Sequence, residues 1–150
     1  MSKVEYANSF RDLIVYRKFR ELSLEIFKLT KRFPKEETYS LTDQVRRSSR
    51  SIGAHIAEAW AKRQYPKHFL SKLTDSDGEQ QETQHWVETA LDCAYISQEE
   101  ANALLEKCTE IGRLLGGMMA KAEMFCRPSP YKMQVAQAVY FVEMGPDSQL

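Results

Sequence analysis

Residues 41–63, LTDQVRRSSRSIGAHIAEAWAKR, decide how this chain folds. Leu41, Val45, Ser48, Ile52, Ile56 and Ala59 recur at spacings of four and three, which draws one stripe down a helix. The segment predicts a helix over about 40–63. Its remaining positions are small or charged. His55 and Glu58 sit three apart, a spacing that puts both on one helix face. They are either half of a metal or acid–base site, or a packing device in a bundle.

The same pattern extends outward. Val15, Phe19, Leu22, Ile26, Leu29 and Phe33 predict a first helix over about 12–31, ended at Phe33-Pro34 because the residue before proline avoids helical angles. Pro66 suits the first turn of a third helix, which reaches about Ala94. Phe69, Leu70 and Leu73 open its inner face; Val87, Leu91 and Ala94 close it. Its polar middle, DSDGEQQETQ, contains Gly78, the mark of a kink or a close backbone approach. Ser97 and Glu100 form a capping box for a fourth helix. That helix turns Ala101, Leu104, Leu105, Cys108, Ile111, Leu115, Met118, Ala122 and Phe125 inward. Gly112, Gly116 and Gly117 imply close helix contact there. Four helices of similar length with short joins predict an all-α, antiparallel up-down-up-down four-helix bundle. It spans 1–126, and 127–150 form an irregular C-terminal tail, disordered or docked on a neighbouring chain.

Composition bounds the function. At 150 residues, 43% hydrophobic and 28% charged, the chain suits one soluble domain. No run approaches the ~20 apolar residues of a membrane span, and MSKVEYANSFRD lacks the apolar core of a signal peptide. Cys93, Cys108 and Cys126 have no metal-binding spacing. They read as reduced thiols of a cytoplasmic protein, with Cys93 and Cys108 as small packing residues. Charge is uneven: residues 1–72 hold 16 Lys and Arg against 8 Asp and Glu, a net +8, and residues 73–150 hold 5 against 13, a net −8. That asymmetry suits either a nucleic-acid surface or oppositely charged helices that attract each other.

Diiron bundles need a Glu-x-x-His on each of two helices and a glutamate on each of the others. Glu82-Thr83-Gln84-His85 fits once, and His55-x-x-Glu58 runs in reverse. The first and fourth helices offer no glutamate in their apolar stripes, so the set is incomplete. No nucleophile elbow, phosphate loop or cysteine–histidine motif is present, and the serines at 48, 49 and 51 sit on a helix. The reading is therefore no enzyme and no cofactor. Arg46, Arg47, Arg50, Lys62 and Arg63 are the candidate phosphate contacts, lying off the apolar stripe. Arg17, Lys18, Arg20, Lys67 and Lys72 extend the charge, and Tyr16 and Tyr65 offer stacking faces. The competing reading pairs these cations with carboxylates. Ala54, Ala57 and Ala61 fall on the face expected to meet solvent, where small side chains let another helix approach. They are the candidate oligomer interface.

Several stretches together resemble a known family. Leu13-x-Val15-Tyr16, Phe33-Pro34-x-Glu36, Leu41-Thr42-x-Gln44-x-x-Arg47 and Ser51-Ile52-x-x-x-Ile56-Ala57-Glu58-x-Trp60 look like the bacterial four-helix bundle proteins encoded in intervening sequences of large-subunit ribosomal RNA genes. Gly78 and Glu82 carry a weaker match, and the resemblance runs over roughly 10–125. The chain departs at His55, where asparagine is usual, and at Ala59, where glycine is usual. The resemblance implies a homopentamer without enzymatic activity. A related branch, accessory proteins of diversity-generating retroelements, implies binding to RNA and a reverse transcriptase through basic surface. The expectation is a homo-oligomeric scaffold for RNA or DNA. A protein–protein adaptor, whose charges serve assembly only, is its rival.

Overall fold

The stripe of the second helix is buried from end to end: Leu41, Val45, Ser48, Ile52, Ile56 and Ala59 are each at most 4% exposed. A computed structural model describes residues 7–126 and shows what that stripe meets. Four long helices follow one another: α1 Ile14–Thr30, α2 Leu41–Ala61, α3 Pro66–Asp92 and α4 Gln98–Ala120. A single turn, α5 Ala122–Phe125, closes the described chain. Helix α1 packs against α2 and α4, α2 against α3, and α3 against α4. The contacts run in opposite register. Ser48 meets Thr83 while Ile52 meets Ser76, and Arg32 meets Glu100 while Glu25 meets Lys107. This is the antiparallel four-helix bundle that the periodicity predicts.

The ends of the elements follow local chemistry. Ser97 caps α4: its hydroxyl accepts from the Glu100 N–H at 3.1 Å, and the Glu100 carboxylate accepts from the Ser97 N–H at 2.9 Å. Helix α3 stops at Asp92 rather than running on to Ala94. Ala94 adopts φ 61° and is exposed, so it closes no inner face. The Tyr95 N–H bonds Ala90 O and the Ala94 N–H bonds Leu91 O, both at 2.9 Å, the bond pair of a left-handed helix stop. Glycine usually occupies that position, because a Cβ there crowds the next carbonyl. Ala94→Gly is therefore expected to stabilise the fold by roughly 0.5–1 kcal/mol, part of the relief being lost to unfolded-chain entropy. Urea denaturation would show it as a raised midpoint with unchanged slope. The fourth helix also ends early. Its C-cap, Lys121, breaks the helical angles, and α5 turns back so that Phe125 stacks on Phe69 at 6.0 Å.

The polar middle of α3 lies inside the bundle. Ser76, Gln80 and Thr83 are at most 4% exposed and continue the apolar stripe between Leu73 and Val87. Each is satisfied. The Ser76 hydroxyl donates to Ile52 O at 2.8 Å and that of Thr83 to Glu79 O at 2.8 Å, with Ser48 Oγ 2.9 Å from Thr83 Oγ1. Gln80 donates to Asp77 at 2.9 Å and accepts from Gln84 at 2.7 Å.

The glycines divide. A Cβ on Gly53 would stand 2.1 Å from the Phe19 ring, and one on Gly112 would stand 2.8 Å from Gln80 Nε2. These two mark close approaches. Gly78, Gly116 and Gly117 have nothing within 4 Å of a built Cβ, and α3 runs unbroken through Gly78. Among the described residues, the close contact expected at those three is absent. Cys93 is exposed, so it is not the packing residue expected, whereas Cys108 and Cys126 are buried. Burial pushes the Cys108 thiol up to about 12 and that of Cys126 to about 11. The expected tail, 127–150, lies outside the described residues.

Candidate nucleic-acid interface

Part of the first half's positive charge is paired within the bundle. Lys18 pairs with Glu110 at 3.7 Å and Arg32 with Glu100 at 2.7 Å, both across the α1–α4 seam, and Lys107 returns the contact to Glu25 at 3.8 Å. On the α2–α3 seam Lys72 holds Glu58 at 2.8 Å. That bond keeps the Glu58 carboxyl below its ordinary value. Lys18–Glu110 and Arg32–Glu100 join the basic half to the acidic one, whereas Lys72–Glu58 lies within the basic half and Lys107–Glu25 runs the other way.

The arginines of α2 stand outside that pairing. Arg46 lies half-buried, its Nε donating to Thr30 Oγ1 at 2.8 Å. Arg47 is exposed and 4.0 Å from Asp43, a distance at which a solvated pair holds little. Arg50 is exposed, and among the described residues neither it nor Arg46 has an ion pair. Both extend over the ring of Phe27, at 5.0 and 6.0 Å from its centroid, and Lys31 covers it at 4.6 Å. One aromatic ring thus gathers three cations by its quadrupole. Beside them a groove on α1 is lined by Arg20, Leu24 and Phe27.

Arg63 does not join this surface. It is 4% exposed, with its guanidinium 3.5 Å above the Trp60 ring and its Nε donating to Trp60 O at 2.7 Å. The planar cation is used as a packing element at the end of α2, which removes it from the phosphate contacts. Lys62 is half-exposed at the same end, roughly 18 Å along the axis from Arg50. The five predicted cations therefore become one group of three, with Lys62 apart and Arg63 inside.

Arg46, Arg50, Ala54, Ala57 and Ala61 follow at spacings of four, four, three and four, so the arginines and the alanine row share one outer face of α2. Ala54 and Ala61 are exposed and Ala57 half-exposed. On the α3 side, His55 is half-buried. Its Nδ1 is enclosed without a hydrogen-bond partner, and the Glu58 carboxylate is 3.8 Å away. Glu82 accepts from Trp86 Nε1 at 3.1 Å, and His85 meets the same ring edge-on at 4.6 Å. Among the described residues no group of three or more histidines, cysteines or carboxylates converges on a metal position.

The stacking faces also differ from expectation. Tyr16 is engaged by Phe10 and Phe19, at 4.9 and 5.4 Å. Tyr65 is exposed but at the far end of the bundle, beside His68. The aromatics near the arginines are Phe27 and Tyr39, neither of which lies on an apolar stripe. Tyr39 is 94% exposed in the turn before α2. The available signal was an aromatic in the polar run KEETYS, about two helical turns before an arginine cluster.

That turn is pinned from two sides. The Glu37 carboxylate accepts from the Tyr95 hydroxyl at 2.8 Å and from the Leu41 N–H at 3.4 Å. The bond to Glu37 pushes the Tyr95 hydroxyl up to about 12, above the ~10 of an unfolded tyrosine. A raised folded value means that the bond's stabilisation is complete below pH ~10 and is lost as the pH climbs toward 12. Melting temperatures should fall across that window, and Tyr95→Phe should flatten the part of the slope this residue causes.

Residues 11–117 match the family described as 23S rRNA-intervening sequence protein. A crystal structure of a protein of unknown function from the S23 ribosomal protein family of Bacteroides thetaiotaomicron is 31% identical, with a TM-score of 0.65. The match covers 71% of this chain and 96% of that one. No curated protein matches the chain. No helix among the described residues is long and apolar enough to cross a membrane.

Proposed function

This chain belongs to the 23S rRNA-intervening sequence protein family, and from that premise we propose a cytoplasmic, non-enzymatic homo-oligomeric scaffold, pentameric in assembly, that holds RNA through the arginine face of α2. The carrying observation is the contrast between seams. Lys18, Arg32 and Lys72 are satisfied by carboxylates of the bundle, whereas among the described residues Arg46, Arg47 and Arg50 have no carboxylate closer than 4.0 Å. Unpaired cations on a rigid helix attract phosphate without regard to sequence and release counterions on binding. The test is RNA binding over a salt series, with the wild type set against Arg46→Glu/Arg47→Glu/Arg50→Glu. Binding absent at low salt, or indifferent to the reversal, would remove the proposal.

One observation favours a second reading, assembly alone. Ala54, Ala57 and Ala61 continue the arginine face, and Gly78 and Gly116 each leave one position of α3 and α4 without a side chain. A neighbouring acidic α3–α4 face would suit the basic α1–α2 face of the next copy. On that reading the same reversals lower the mass seen by light scattering and leave RNA binding unchanged.

A further inference from the structure

Tyr39 has no structural reason to be aromatic. At 94% exposure its ring gains almost nothing from burial, and no ring or ion pair meets it among the described residues. Yet its backbone is held firmly. The single turn Lys35–Glu37 precedes it, the Thr38 hydroxyl donates to Lys35 O at 2.7 Å, and the Ser40 N–H donates to Glu37 O at 3.0 Å. Glu37 is in turn anchored by Tyr95 and the first N–H of α2. A ring displayed on a fixed corner loses little entropy when something stacks on it.

The corner opens onto a groove of about 520 Å³ along α2, which Tyr39 shares with Arg46, Arg47 and Arg50. Thr42 lines the same groove, and its hydroxyl is enclosed with no hydrogen-bond partner. An aromatic face at one end and three cations along the wall match a ligand with a flat apolar surface and adjacent negative charge. A duplex offers its phosphates but keeps its bases stacked inside, out of reach of Tyr39. Unpaired nucleotides offer both.

Resting on the phosphate-binding reading above, we infer that this groove takes single-stranded RNA, with a base stacked on Tyr39 and the neighbouring phosphates on Arg46, Arg47 and Arg50. Tyr39 then supplies selectivity for unpaired strands, and the arginines supply attraction for any strand. Phe27 acts differently: its ring is already covered by Lys31, Arg46 and Arg50, so it orients the cations.

The experiment measures binding of the full chain to a short oligoadenylate, and to the same strand annealed to oligouridylate, by fluorescence anisotropy over a salt series. The wild type should prefer the single strand. Tyr39→Ala should weaken single-strand binding by ~10-fold or more, the loss expected of one stacked base. It should leave duplex binding and the salt slope unchanged, because no phosphate contact is removed. Tyr39→Phe should bind as the wild type does. Equal wild-type affinity for strand and duplex overturns the inference. So does a Tyr39→Ala variant with undiminished single-strand affinity; arginine reversals that still abolish binding would then leave the phosphate reading intact. If the wild type binds neither probe at low salt, both readings fall. The substituted side chain touches solvent only, so matching melting curves for the variants are expected.

Discussion

Gly53→Ala should lower the stability of this bundle by roughly 1–2 kcal/mol, although alanine is the better helix former. The expectation follows from two opposed magnitudes. Replacing a mid-helix glycine by alanine contributes about 1 kcal/mol of propensity. Against that, the new Cβ would fall 2.1, 2.3 and 2.6 Å from three carbons of the Phe19 ring, distances no real Cβ tolerates. Phe19 is 9% exposed, so its ring can retreat only by displacing neighbours in a close-packed interior. Overpacking of that kind costs roughly 1–3 kcal/mol, more where the backbone must give. The α1–α2 seam absorbs the strain. The measurement is a thermal or urea unfolding series of Gly53→Ala, Phe19→Leu and the double variant. The two substitutions should couple by ~1 kcal/mol or more, the double variant losing less than the sum. Additive losses, or a stabilised Gly53→Ala, would show that the ring does not rest on this glycine.

The second large effect concerns the arginines. Arg46→Glu/Arg47→Glu/Arg50→Glu removes three cations and adds three anions on the same outer face. RNA affinity at low salt should fall by about 100-fold or more. The slope of log K against log salt should become shallower by roughly 2, since each single-strand phosphate contact contributes about 0.7. Arg46 also donates to Thr30, so its reversal carries a stability cost of about 1 kcal/mol. Arg47→Glu/Arg50→Glu avoids that cost, because both side chains are exposed. The double variant should keep the wild-type melting temperature while losing most of the affinity. A mass that drops by light scattering with RNA binding intact would assign these cations to assembly.

The bundle itself was legible in the chain. Six positions of α2, spaced four and three apart, are all buried, as are Val15, Phe19, Leu22 and Ile26 of α1. Ser97 and Glu100 announced their helix start because a capping box is local chemistry, needing only three residues and their own backbone. The stop at Ala94 was not legible. Leu91 and Ala94 continue the apolar pattern, and the turn is made by an alanine where glycine would have signalled it. The interior role of Ser76, Gln80 and Thr83 was hidden for a different reason. Their burial depends on partners at Ile52, Ser48 and Asp77, and only the first two lie on another helix, far away in sequence.

The candidate site divides along the same line. The excess of cations in the first half, and their clustering on α2, are properties of sequence alone, because helical spacing assigns them to one outer face. Which of them remain outward was decided by packing. Arg63 follows α2 by two residues and reads like its neighbours, yet it lies flat on Trp60 and buries its charge. Lys18 and Lys72 read as part of the same charge, yet carboxylates from α4 and α2 take them. Tyr39 and Phe27 carry no periodic signal at all. Sequence determined the helices, because hydrophobic period and capping act within a few residues. Tertiary structure decided the site, because a charge is available only if no neighbour brought in from a distant part of the chain has already neutralised or buried it.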